Sequence, residues 1–147
     1  MRCSDWWAYS DKLPNGIMTE QDVINIINSK YKTCFKLVSD QYSSYDAEED
    51  RYIIEIKNRR SYYPTKIIEI LKMISNYQKA QLLDKTFLYA VSDKKGIYIF
   101  NINNNIHNII KLPVTKKYQP VTTDFGSSKK IIKLTYELDE SMATIIK

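Results

Sequence analysis

At 147 residues and 44% hydrophobic side chains, the chain has the length of one domain and enough apolar mass for a core, which excludes a disordered composition. Its two cysteines, Cys3 and Cys34, lack CxxC spacing and have a single histidine to join them, which argues against a zinc site and favours a reduced pair over a disulfide. The net charge of +5 is unevenly spread: residues 1–56 carry six basic and ten acidic side chains, residues 57–79 six and one, so the sign flips just after Glu55.

The first residues are aromatic, with Trp6, Trp7 and a turn signal at Pro14–Gly16, and lack the apolar stretch of a signal peptide. No apolar run approaches the length of a membrane span, so a cytoplasmic protein without a membrane partner is expected. Val23, Ile26, Ile27 and Tyr31 recur at helical spacing, with Thr19 as N-cap and Asp22 as its capping-box partner. "CFKLV" (34–38) reads as a short strand and residues 39–50 as a polar loop or hairpin extension. "RYIIEIKN" (51–58) is the strongest strand signal in the chain.

Beyond Pro64 the spacing predicts a long helix over 65–83, its apolar stripe formed by Ile67, Leu71, Ile74 and Leu82. "TFLYAV" (86–91) and "IYIFNI" (97–102) read as strands of a hairpin joined by "SDKKG". The Asn-rich stretch carrying His107 reads as a loop, and "IIKLPV" and "KKIIKLTYEL" as further short strands. No repeat or linker divides the chain. One α/β domain of mixed α+β character is expected over residues 1–147, with a central mixed sheet flanked by helices.

Alternation along residues 51–58 puts Ile53, Glu55 and Lys57 on one face of the strand. A charge buried there needs a partner. The plain alternatives are that Glu55 and Lys57 pair with each other or that this face is exposed. Asp46 stands nine positions before Glu55, and a hairpin would bring its carboxylate back toward it; Asp40 and Asp50 compete for the same role. Two carboxylates that converge repel unless a cation joins them. Mg²⁺, with Mn²⁺ as a substitute, suits hard oxygen ligands, and a neighbouring lysine would orient a water or a phosphate oxygen.

Asp46 followed by "Glu55-Ile56-Lys57" resembles the PD-(D/E)XK nuclease superfamily, whose pattern is an acidic residue, a variable gap and (D/E)-x-K on the next strand. The order of elements over roughly 19–102 is similar to that superfamily's α-β-β-β-α-β core, and "YIIEIKNRR" followed by "YPTKII" looks like its small phage-type members. Tyr45 stands where the motif's proline would be. The resemblance implies a restriction-endonuclease-like fold and a Mg²⁺-dependent endonuclease acting on DNA, with Asp46 and Glu55 as metal ligands and Lys57 as the water-positioning residue. Members often add a glutamate from the first helix, a role open to Glu20, which a favourable helix dipole explains equally well. Many also carry a polar residue on the second core helix facing the site; Gln78 is the candidate, with a wet helix end as the alternative. Homodimers are common in the superfamily, so a homodimer is a possible assembly here.

Arg59, Arg60, Lys66, Lys72 and Lys79 are the candidate phosphate contacts, the lysines decorating the polar side of the expected helix together with Asn76. Tyr62 and Tyr63 either stack on unpaired bases or pack beneath the loop. His107 has no nucleophile partner, and there is no Gly-rich phosphate loop. The competing expectation is a non-catalytic nucleic-acid-binding or protein-interaction module of the same fold, in which Glu55 and Lys57 form a structural ion pair.

Overall fold

A computed structural model describes residues 18–120 and 130–147. Trp6, Trp7, Cys3, the Pro14–Gly16 turn and Lys129 lie outside the described residues. Cys34 is disulfide-bonded, against the expectation of a reduced thiol.

Helix α1 (Glu20–Tyr31) begins where local chemistry dictates. The Thr19 hydroxyl accepts from the Asp22 N–H, and the Asp22 carboxylate accepts from the Thr19 N–H, a complete capping box. Val23, Ile24, Ile27 and Asn28 are its buried residues. Strands β1 (Lys36–Leu37) and β2 (Ala47–Glu48) are short, and β3 (Tyr52–Asn58) is the expected strand.

The helix expected over 65–83 divides in two. Thr65–Glu69 is a strand, β4, and only Ile70–Leu82 forms helix α2. The local sequence is compatible with helix, but β4 pairs antiparallel with a distant segment, Thr65 opposite Asp139 and Glu69 opposite Thr135, and that ladder overrides it. The later start also resets the helix face. Met73, Asn76 and Ala80 are buried, while Leu71, Ile74 and Leu82 of the expected stripe are exposed.

The hairpin of β5 (Thr86–Asp93) and β6 (Gly96–Asn101) matches the sequence expectation. Gly96 has φ +148°, and a Cβ there would meet the Ile146 carbonyl oxygen at 2.3 Å, so only glycine fits this turn. The Asn-rich segment is helix α3 (Ile102–Ile109), not a loop. Asn101 caps it by accepting from the Asn104 N–H, and Ile102, Ile106 and Ile109 pack against the core at spacing i, i+4, i+7. "IIKLPV" forms no strand. Strands β7 (Thr115–Pro120) and β8 (Lys130–Asp139) follow, then a 3₁₀ turn and β9 (Ala143–Ile146).

The architecture is mixed α/β. A six-stranded sheet runs β1-β2-β3-β5-β6-β9, antiparallel except for the parallel pair β3–β5, and a three-stranded antiparallel sheet runs β4-β8-β7. A parallel pair needs a crossover connection, which β4 and α2 supply. The even-numbered residues of β3, Ile54 and Ile56, join a core with α1. On its other face, Ile53 joins Phe87, Ile68, Met73 and Leu138 in a core that draws on both sheets and α2. Glu55 and Lys57 belong to this second face. Among the described residues no helix is long and apolar enough to cross a membrane.

Candidate active site

Glu55 lies opposite Tyr89 in the β3–β5 ladder and is 3% exposed. Lys57 Nζ approaches its Oε1 at 3.7 Å and Lys72 Nζ at 3.4 Å, while Asn76 Nδ2 points to its Oε2 at 3.4 Å. All three contacts are longer than ordinary N–H···O bonds. The buried carboxylate is therefore surrounded by cations yet loosely held.

Asp46 directly precedes β2. Its N–H donates to the Ile54 carbonyl at 2.8 Å, and its Oδ2 accepts from the Ile56 N–H at 2.6 Å. That side-chain bond crosses to β3 and turns the carboxylate toward the strand carrying Glu55. Asn76 fastens the same loop from the other side, donating to the Ser44 carbonyl at 3.1 Å. One α2 side chain thus touches both the Asp46 loop and Glu55. The Asn76 Oδ1 is buried and accepts no hydrogen bond among the described residues.

The electrostatics tie four sequence candidates together. Burial holds the Glu55 carboxyl above the usual carboxylate range; Lys57 and Lys72 oppose that rise and the charge of Asp46 adds to it. Burial likewise raises Asp46, against the Ile56 N–H, Lys57 and Lys72. Glu20, exposed at the start of α1, is raised by burial and by Asp46, against Lys57. Lys57 is lowered, chiefly by burial, with Lys72 and Arg59 adding and Glu55 and Asp46 opposing.

A carboxyl whose pKa is raised by folding binds its proton more tightly in the native state. Its favourable contribution is full below the unfolded-state pKa and is lost as pH rises through the folded-state value. In metal-free buffer, Asp46→Asn is therefore expected to gain stability relative to wild type between pH 4 and pH 7. Urea unfolding of both proteins at the two pH values checks this. A relative loss at pH 7 would show that the ionised carboxylate is what the Ile56 N–H needs.

The other candidates sort differently. Asp40 Oδ1 accepts from the Tyr42 N–H within its own loop, and Asp50 is an exposed turn residue. Gln78 is exposed and lines a separate cleft with Tyr42 and Ser43. Lys72, expected on a phosphate-facing surface, instead stands over Glu55. Lys66 is not on a helix and not at the surface. It is buried in β4, pairs with Asp93 at 3.0 Å and Glu140 at 3.4 Å, donates to the Tyr63 carbonyl, and lies over the rings of Tyr62 and Tyr98. Arg59, Arg60 and Lys79 are exposed, and His107 is exposed on α3.

Asn76 is the site residue that spacing failed to single out. Its signal was present in Met73, Asn76 and Ala80 at i, i+3, i+7, but that stripe competes with a longer apolar one counted from Ile67.

The chain matches no family model, no curated protein and no solved structure.

The donor set can be tested against a divalent cation. Among the described residues no three His, Cys, Asp or Glu side chains form a ready metal-binding group. Mg²⁺ commonly uses one or two carboxylates and keeps several waters. Asp46 has one oxygen outside its bond to Ile56, and Glu55 has only long contacts. These two carboxylates are the oxygen donors such an ion would use, while Glu20 is exposed at the start of α1.

Proposed function

We propose that the protein is a Mg²⁺-dependent endonuclease that hydrolyses DNA phosphodiesters, of the kind its Asp46…Glu55-x-Lys57 pattern resembles. The observation that carries this reading is geometric: Glu55 is buried on β3 with Lys57 at 3.7 Å and Lys72 at 3.4 Å, and the Asp46 carboxylate is held against the same strand by the Ile56 N–H at 2.6 Å. Order supports it as well: α1, β1, β2 and β3 are followed by a crossover through β4 and α2 to β5, which lies parallel to β3.

Asp46 and Glu55 would hold the cation, with Glu20 in support. A bound divalent ion supplies Lewis acidity to the phosphoryl oxygen and acidity to a coordinated water. Lys57 sits beside Glu55 with a lowered pKa, placing its amine to hold the attacking water and to pass between donor and acceptor. Lys72 adds positive charge where negative charge grows on the phosphate. Asn76 holds the Asp46 loop and Glu55 in register.

A second reading is favoured by one specific feature. Glu55 already faces two lysines, so the cluster is close to charge-compensated without an ion. On that reading the chain binds nucleic acid or protein without cutting. Cleavage of labelled linear, branched and single-stranded DNA in Mg²⁺, Mn²⁺ or EDTA separates the two. The nuclease reading expects cutting in either metal and none in EDTA. Salt-dependent DNA binding with no cutting in any buffer supports the binding module instead.

A further inference from the structure

A cleft of about 300 Å³ opens where the C-terminal ends of β3 and β5 meet the second sheet. Arg59, Ser61, Tyr63, Thr65, Lys117 and Glu137 contribute to its lining. It adjoins the carboxylate cluster along one strand. Arg59 follows Lys57 by two residues, and its N–H continues the ladder by donating to Ser92 at 2.8 Å. Four residues of extended chain separate it from Glu55, roughly 13 Å at ~3.3 Å per residue.

The charges of the cleft leave one cation over. Lys66 is matched by Asp93 and Glu140, and Lys117 pairs with Glu137 at 3.3 Å. Among the described residues Arg59 makes no ion pair. It is exposed at the end of β3 and lines the cleft. Its planar guanidinium fork suits a phosphodiester monoanion.

The two adjacent tyrosines divide their roles. Tyr62 packs beneath Lys66 and Lys95, whereas Tyr63 is 60% exposed and lines the cleft. An exposed ring beside a cation is the pairing that single strands use. Ser61, Thr65 and Glu137 offer polar groups for a base edge. The volume is at the low end for ligand sites, room for one nucleotide and not for a duplex.

We infer that this cleft receives one unpaired nucleotide of the bound strand, its phosphate on Arg59 and its base against Tyr63, so that single-stranded or branched DNA is preferred to uninterrupted duplex. The inference rests on the nuclease reading for the direction of the strand past Glu55. The test measures binding in EDTA, where nothing is cut, of a 2-aminopurine oligonucleotide alone and annealed to its complement.

Wild type is expected to bind the single strand more tightly than the duplex and to change the probe's fluorescence. Tyr63→Ala and Arg59→Ala should each weaken single-strand binding by about fivefold or more, with duplex binding changed less than twofold. Arg60→Ala, outside the cleft, should weaken both forms alike. Equal affinity of wild type for both forms, or variants that lower both equally or neither, overturns the inference. Parallel cleavage in Mg²⁺ keeps the two proposals apart. Strand preference without cutting removes only the nuclease reading, and cutting without strand preference removes only the cleft.

Discussion

Glu55→Gln is expected to lower metal-dependent DNA cleavage by about 10³-fold while leaving the fold in place. The substitution keeps the shape of a side chain that is almost fully buried on β3 and removes only its charge. What is lost is the anion that faces Lys57 and Lys72 and, on the proposed reading, a ligand to the cation. Preorganised charge at a reacting phosphate is worth a few kcal/mol per group, about 10²–10³ in rate. Lys57→Ala should cost a similar factor, and the double variant little more, because the two act on one water and one phosphate. Single-turnover rates with Mg²⁺, beside circular dichroism of each variant, measure this. Cleavage by Glu55→Gln at the wild-type rate would place the activity elsewhere or in a contaminant.

Lys66→Met should produce the largest loss of stability among the basic residues, roughly 3–5 kcal/mol, because it strands a buried carboxylate. The Asp93 side chain is 1% exposed and its Oδ2 faces Lys66 at 3.0 Å; its Oδ1 accepts from the Lys95 N–H. Removing the ammonium also frees Glu140 and strips the cation from two tyrosine rings. Adding Asp93→Asn should recover part of the loss by removing the orphaned charge, a coupling that urea unfolding of the single and double variants reads directly. The salt dependence of DNA binding should be unchanged in Lys66→Met, since this lysine is buried and already paired with Asp93 and Glu140. A stable Lys66→Met protein with weakened binding would return Lys66 to the DNA-facing surface.

Features governed by neighbours in the chain could be read without coordinates. The capping box at Thr19 and Asp22 is a three-residue device, and it set the start of α1. Alternation placed Glu55 and Lys57 on one face of β3, and the β5–β6 hairpin followed from two apolar runs around a short polar turn. The electrostatic partnership of Asp46 with Glu55 was legible as two carboxylates separated by a hairpin's length.

Features governed by distant partners could not be read this way. Nothing local to "TKIIE" announces that Asp139 and Thr135 will pair with its ends, yet that ladder makes it a strand and points Lys66 inward. Once β4 takes five residues, α2 starts at Ile70, and its docking puts Met73, Asn76 and Ala80 inside and Gln78 outside. Asn76 then meets Glu55 and Ser44 across separations of 21 and 32 residues. The sequence alone determined that Glu55 and Lys57 share one face of β3, because side-chain alternation is a local property. The tertiary structure decided which helix residues reach that face, because a helix presents whichever side its packing partners bury.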